Sequence, residues 1–386
     1  MSKIKCELCG AETHAIQVHL KKEHPELTLE AYQERFPDAP IYSQVAIDAI
    51  AKQQQTKAAM AGVGNSVTAE VTSLRTADRQ ESIAGVFELG NAPAALNARG
   101  EAINITVFGR NEHEDMIPEV DNNYVWNIDL LKTGLMGLEM NIPTYFWGHA
   151  GTGKTTIWEQ IAARTNRPMI RIQHTASMVE EDLTGRWVVK DGQTEFEYGP
   201  LALAMMHGWL YLADEYDFAF PQILSVYQAV LEGKPLMIKE APEGGRLIKP
   251  HKNFRIVATG NTNGSGDETG LYQGTNIQNA ANFSRFGITE QVPYMPEKQE
   301  ILLVRQQAGL MDVDAEALVQ WAGEIRKAHE GAKIGMTVGP RELINAGLLG
   351  AAKQSIRRGV RLAITNRAST VDREIANELA QRFLHS

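Results

Sequence analysis

Two rhythms of apolar and polar residues divide the chain. Between about residues 104 and 300, short apolar runs recur: "PTYFW", "PMIRIQ", "WLYLAD", "FRIVATG" and "ITEQVPYM", with stretches of helical spacing between them. Strands alternating with helices predict a mostly parallel sheet covered on both faces. From about residue 297 the pattern becomes helical. In "DAEALVQWAGEIRKAHEG" residues Leu318, Trp321, Ala322 and Ile325 share one face, and "STVDREIANELAQRFL" opens with a Ser-x-x-Asp start signal. Residues from about 45 to 100 are rich in Ala, Gln, Ser, Thr and Gly and hold no sustained period. A helix near 45–61 fits the alanines and glutamines, and a mobile linker is predicted beyond it. Four parts follow: 1–44, a small Cys/His module; 45–103, a linker; 104–296, an α/β core; and 297–386, a helical region.

Composition adds limits. The chain has 386 residues, 43% apolar and 22% charged, which suits an ordinary globular protein of two or three domains. No stretch approaches the roughly 20 apolar residues of a membrane helix, and "MSKIKCELCG" lacks the apolar core of a signal peptide. A cytoplasmic protein without a membrane partner is expected. The net charge of -9 argues against wholesale wrapping of nucleic acid and leaves a local contact open. Cys6 and Cys9 are the only cysteines, too few for a disulfide framework and better used on a metal.

The chemistry centres on "GHAGTGKTT", residues Gly148, His149, Ala150, Gly151, Thr152, Gly153, Lys154, Thr155 and Thr156. Gly-x4-Gly-Lys-Thr between a strand and a helix is the P-loop pattern. Its glycines let backbone N–H groups converge on phosphate oxygens, and the helix that follows adds its positive dipole end. Lys154 is expected to reach the β- and γ-phosphates of ATP, and the Thr155 hydroxyl to ligate Mg²⁺. "WLYLADEYD" ends an apolar strand with Asp214, placed for the metal, and Glu215, placed as general base for water. Asp217 reads as a solvated or structural acid. "FRIVATG" leads to Asn261, a polar group for the γ-phosphate or the attacking water, in a segment that also reads as a turn.

The order of P-loop, "LADE", "ATGN", "SRF" and "GPRE" resembles the MoxR and chelatase branch of the AAA+ ATPases, and within it the CobS subunits of cobaltochelatase. The likeness runs from about Phe108 through "IPEVDNNYVW", "DLTGRWVVKDGQTEFEYGPLALAM" and "GLYQGTNIQNAANFSRF" to "GPRE", well over half the chain. It implies an AAA+ core with a helical lid, assembled as a homo-oligomeric ring, usually hexameric, with ATP between neighbours. Arg285 then matches the arginine finger that completes the adjacent subunit's site. The family's pattern has Asp before this arginine, where this chain has Ser284. Arg341 matches the sensor-2 position that couples the γ-phosphate to the lid. The branch also implies a hairpin inserted in the second helix, and Asp191-Gly192 is a good turn signal for one. Trp187, Phe196 and Tyr198 would then lie at a pore or partner surface, or pack on the sheet. Relatives of this branch work with a separate protein bearing a von Willebrand factor A domain.

At the other end, Cys6-x2-Cys9-x9-His19-x4-His24 offers two thiolates and two imidazoles, a set suited to tetrahedral Zn²⁺, with His14 as a spare. The gap between the pairs is shorter than usual and is similar to the Ros/MucR type of finger. So short a segment cannot bury enough apolar area alone, and structural zinc contributes roughly 10–16 kcal/mol in finger peptides. Lys3, Lys5, Lys21, Lys22 and Arg35 are outweighed by Glu7, Glu12, Glu23, Glu26, Glu30, Glu34 and Asp38. A protein-docking module is therefore at least as well supported as a nucleic-acid contact. The expected function is an ATP-driven ring motor that remodels a partner protein. The alternatives are a nucleic-acid-associated ATPase guided by the finger, a motor for insertion of cobalt into a corrin ring, and a slow nucleotide-gated scaffold.

Overall fold

A computed structural model describes residues 4–13, 16–24, 31–32, 35–36, 39–41, 43, 78–90, 92–109, 113–267 and 270–384, without the side chains of 17–19 and 21. Of the linker expected over 45–103, the part 45–77, with its possible helix at 45–61, lies outside these residues. Two compact units emerge, residues 1–75 and 76–386.

In the first unit, β1 (Ile4–Lys5) and β2 (Glu12–Thr13) pair antiparallel and lead into α1 (Ile16–Glu23). Ile16 and Leu20, one helical turn apart, are buried with Cys6 and Tyr32. The Tyr32 hydroxyl accepts the Glu7 N–H at 2.9 Å. A core this small is marginal by itself.

The second unit begins earlier than the linker expectation allows. β3 (Arg79–Ser82) pairs antiparallel with β4 (Asn104–Val107), and Ile83, Phe87 and Ala95 are buried against Trp126 and Leu130. Residues 78–90 and 92–103 are therefore part of the folded core. "RQES" carries no apolar run because the strand itself stays exposed to half-buried, and the burial in this segment comes from Ile83 and Phe87 just after it.

Helix α2 (Ile128–Met140) precedes β5 (Thr144–Trp147), and α3 (Lys154–Arg164) follows it. Then come β6 (Met169–Gln173), β7 (Gly185–Lys190), β8 (Gln193–Tyr198), α4 (Pro200–His207) and β9 (Leu210–Asp214). The short pair β10 (Leu236–Met237) and β11 (Leu247–Ile248) precedes β12 (Arg255–Gly260) and β13 (Ile288–Gln291). All five expected strands form one parallel sheet in the order β13-β5-β12-β9-β6. Alternate residues of β9 enter opposite faces. Tyr211 and Ala213 join a core with Leu201 and Met205, while Leu210 and Leu212 join Phe146, Trp158 and Leu131. Trp147 pairs with Gly260 and with Gln291, and Gln173 with Asp214. The carboxyl ends of these strands thus share one edge, at the switch in strand order where α/β sheets bind ligands.

β7 and β8 form the expected hairpin. Lys190 faces Gln193, and Asp191 and Gly192 both take positive φ, 51° and 80°. Phe196 and Tyr198 pack partly buried on the core, whereas Trp187 is half exposed and donates its indole N–H to the Glu240 carbonyl at 2.8 Å.

Helices α5 (Glu297–Ala308), α6 (Asp312–Glu330), α7 (Pro340–Lys353), α8 (Ile356–Ala363) and α9 (Thr370–Phe383) build the helical region. Leu318, Trp321, Ala322 and Ile325 are buried in its core. The Arg326 guanidinium is held in the interior by two 2.7 Å bonds to Glu300. Ser369 caps α9 through the Asp372 N–H. Among the described residues no helix is long and apolar enough to cross a membrane.

Candidate active site

The loop from β5 to α3 takes positive φ at Gly148, Gly151 and Gly153. A Cβ at Gly148 would stand 2.5 Å from the Val292 carbonyl oxygen, so only glycine passes there. The Lys154 ammonium donates to the carbonyls of Gly148 (2.7 Å) and His149 (2.8 Å) and to Asn261 Oδ1 (3.2 Å). Burial pushes it down to about 8, against the raising pull of the Asp217, Asp214 and Glu215 carboxylates. A cation this dehydrated gains strongly from an anion that takes over its bonds.

Opposite it, Asp214 ends β9, 3% exposed. Its Oδ1 accepts the Thr155 hydroxyl at 2.7 Å and the Thr259 hydroxyl, and its Oδ2 accepts Arg171 Nε at 2.8 Å. Arg171 also reaches Glu159 at 3.2 Å. Thr155 and Asp214 therefore converge as oxygen donors, a hard set that fits Mg²⁺.

Glu215 leaves the strand in the left-handed region, φ 51°. Its N–H meets the Thr259 hydroxyl at 3.3 Å, and its carboxylate accepts the Gln173 amide at 2.9 Å. Register explains Arg171 and Gln173, the partners from β6. Arg171 and Gln173 are alternate residues of β6 beside β9, so both side chains reach β9's carboxyl end.

Asp217 is structural. It is fully buried, and one oxygen accepts the Asn261 N–H (2.8 Å), the Thr262 N–H (2.8 Å) and the Thr262 hydroxyl (2.9 Å). Burial raises its pKa and these three bonds oppose the rise. The clamp fixes Asn261, whose oxygen faces Lys154 and whose amide N–H₂ is thereby left to donate elsewhere.

Behind the strand, His174 is 1% exposed, and burial pushes it down to about 4, so it is neutral. Its Nδ1 faces the carbonyls of Ile172 (3.2 Å) and Asp214 (3.1 Å), which places the proton there. Nε2 then accepts the Tyr227 hydroxyl at 2.9 Å, and Tyr227 accepts that of Tyr211 at 2.7 Å.

The loop's remaining residues face the helical region. His149 stacks on Tyr294 with centroids 5.3 Å apart and bonds the Tyr272 hydroxyl at 2.9 Å, which also accepts the Ala150 N–H at 3.0 Å. Thr152 donates to the His149 carbonyl at 2.9 Å. A Cβ on Gly339 would stand 2.6 Å from the Ala150 carbonyl oxygen, so the start of α7 touches the loop. Pro340 opens that helix, and the Glu342 carboxylate accepts the Gly339 N–H at 2.7 Å.

A cleft of about 310 Å³ results. Gly151–Thr156 form its floor, Asp121, Tyr124 and Val125 one wall, and Arg341, Ile344 and Asn345 of α7 the other. The Tyr124 wall comes from "VDNNYVW", a stretch in which the sequence marks no chemistry. Arg285 does not line this cleft. It follows the one-turn helix Ala280–Phe283 and pairs with Glu232 at 2.7 Å.

In the small unit, Cys6, Cys9 and His24 bring ligand atoms within 4.8 Å of one another. The β1–β2 turn places both cysteines, and His24 follows α1. Two sulfurs and one imidazole at that spacing suit a tetrahedral ion with bonds of about 2.0–2.3 Å. The expected ligand His19 stands in α1 with its side chain outside the described residues, as does all of His14.

Comparison with known proteins adds kinship. The AAA domain of the dynein-related subfamily matches residues 144–275, and the CbbQ/NirQ/NorQ C-terminal family matches 300–383. The aerobic cobaltochelatase subunit CobS of Sinorhizobium sp is 32% identical over 281 residues, 69% of this chain and 82% of that protein. NorQ of Paracoccus denitrificans is 24% identical over 224 residues, 58% of this chain and 79% of that one. The gas vesicle ATPase GvpN of Ancylobacter aquaticus is 26% identical over 220 residues, 52% and 59% of the respective chains.

Proposed function

The chain belongs to the AAA+ ATPases of the CbbQ/NorQ/CobS, MoxR-like branch, and from that premise we propose that it is the motor subunit of a ring that remodels a separate partner protein. It is an ATPase, with ATP and Mg²⁺ as expected for the family. In the proposed cycle Lys154 exchanges the loop carbonyls for β- and γ-phosphate oxygens, and Thr155 and Asp214 hold Mg²⁺. The ion, when bound, neutralises charge on those oxygens. Gln173 holds the Glu215 carboxylate, which accepts the proton of the attacking water, and the amide N–H₂ of Asn261 orients that water or the γ-phosphate. Arg341 enters from α7.

The observation that carries the motor reading is that the cleft lies between the sheet edge and the helical region, with Gly339 against Ala150 and Arg341 in the wall. A change at the γ-phosphate therefore acts directly on the start of α7. Arg285, absent from its own cleft, is the residue proposed to complete a neighbour's, in a ring of usually six copies. Cys6, Cys9 and His24, with His19 as fourth ligand, are proposed to hold Zn²⁺ in a docking module.

The test is recovery of the client. Tagged Glu215→Gln protein should hold ATP without turnover and retain its assembly when drawn from the native host. A von Willebrand factor A domain protein in the recovered complex supports the proposal, and a corrin-bearing one narrows the work to cobalt insertion. Nucleic acid retained only when residues 1–45 are present would overturn it in favour of a finger-guided ATPase.

A further inference from the structure

Ser284 occupies the place where an acid would stand beside Arg285, and its hydroxyl is committed to the Ala281 carbonyl at 3.0 Å. The guanidinium nonetheless has a carboxylate. Glu232, 53 residues earlier, accepts Arg285 Nε on Oε1 at 2.7 Å, while the Ala281 carbonyl accepts Nη1. We propose that Glu232 is the positioning residue of Arg285, doing from the end of another helix what a neighbouring acid would do. This rests on the reading of Arg285 as the arginine that completes an adjacent site.

Three features support it. First, both ends of the pair are built on fixed backbone. Glu232 closes the helix Tyr227–Leu231, whose Tyr227, Val230 and Leu231 are buried. Arg285 follows a helical turn capped by Asn279, and the buried Asn282 of that turn donates to the Tyr216 hydroxyl (3.1 Å) and the Leu224 carbonyl (3.0 Å). Phe283 and Phe286 flank Arg285 and pack on Tyr145.

Second, the bonds use Nε and Nη1 and leave Nη2 without a hydrogen bond among the described residues. A guanidinium gripped along one edge keeps donors for an incoming phosphate oxygen. Third, the pair is part-exposed, 27% and 33% by side chain, with Lys234 on the other oxygen of Glu232 at 2.5 Å. Lys234 tempers the carboxylate, so Arg285 is oriented and its charge is not fully cancelled. A part-exposed surface pair of this kind adds little to stability, so the arrangement is better explained by aim than by folding.

The experiment is a double-mutant cycle on the full chain, with turnover, binding of a fluorescent ATP analogue and melting temperature measured together. Glu232→Gln should lower kcat roughly tenfold, the effect of replacing a charge-assisted hydrogen bond by a neutral one, with analogue affinity and melting temperature held. Glu232→Asp should recover part of the loss. Glu232→Gln combined with Arg285→Ala should be no slower than Arg285→Ala alone, because the acid acts only through the arginine. Full turnover in Glu232→Gln beside an inactive Arg285→Ala would overturn the positioning role and leave the arginine reading intact. Additive losses would assign Glu232 to structure and also overturn the proposal. Wild-type turnover in Arg285→Ala would overturn both readings together.

Discussion

Asp214 and Glu215 are neighbours in sequence and differ in surroundings. The first is buried under two hydroxyls and a guanidinium, and the second is turned out by a left-handed residue and held by one amide. That difference supports separate roles and separable defects. Lys154→Ala should abolish binding of a fluorescent ATP analogue. Glu215→Gln should bind it as wild type does and hydrolyse ATP poorly; turnover at the wild-type rate would remove Glu215 as the base. Behind them, Tyr227→Phe should strand His174 Nε2 and the Tyr211 hydroxyl, costing about 1–3 kcal/mol in urea denaturation. An unchanged midpoint would mean that the His–Tyr–Tyr chain carries no stability. The loop, Asp214 and Glu215 were legible because their chemistry is local in sequence. Arg171, Gln173 and Thr259 were not, because strand register alone brings them to the acids. The sign that could have marked Arg171 and Gln173 is polar alternation in "MIRIQ", on a strand otherwise apolar.

Whole elements were legible to the degree that they carry their own signal. Strands β5, β9 and β12 are largely apolar runs, the β7–β8 hairpin has its Asp-Gly turn, and α6 shows its buried face as a stripe. β3 shows none of these, since it stays exposed to half-buried, pairs with β4, and leaves burial to Ile83 and Phe87 after it. That is why residues 78–90 and 92–103 resemble a linker in sequence and fold as core. The small N-terminal unit is the opposite case, with a strong ligand spacing and, among the described residues, a core of four buried side chains. If zinc makes up the deficit, purified full-length protein should carry about one zinc per chain. Chelation should then expose the Cys6–Tyr32 region to protease while the 76–386 unit still binds the ATP analogue. Equal protease resistance with and without metal would show that Ile16, Leu20 and Tyr32 suffice.

At the scale of the whole molecule, Arg285 lies outside its own chain's cleft and is proposed to complete a neighbour's. Arg285 is tied through Asn282 to Tyr216, the residue after Glu215. In a ring, one subunit's catalytic strand end would therefore lie close in structure to the arginine it offers the next. Heterologous, head-to-tail contacts that close into rings make such sharing geometrically consistent. Subunit mixing tests it. Arg285→Ala chains keep Glu215, and Glu215→Gln chains keep Arg285, so each protein alone should be nearly inactive. Where an Arg285→Ala cleft meets a Glu215→Gln neighbour, both groups are present. At equal amounts such pairs form at about one site in four, so about a quarter of wild-type turnover should return if sites act independently. If the arginine serves its own chain's cleft, every chain in the mixture still lacks one group. Turnover should then stay at the level of the two single variants at every mixing ratio.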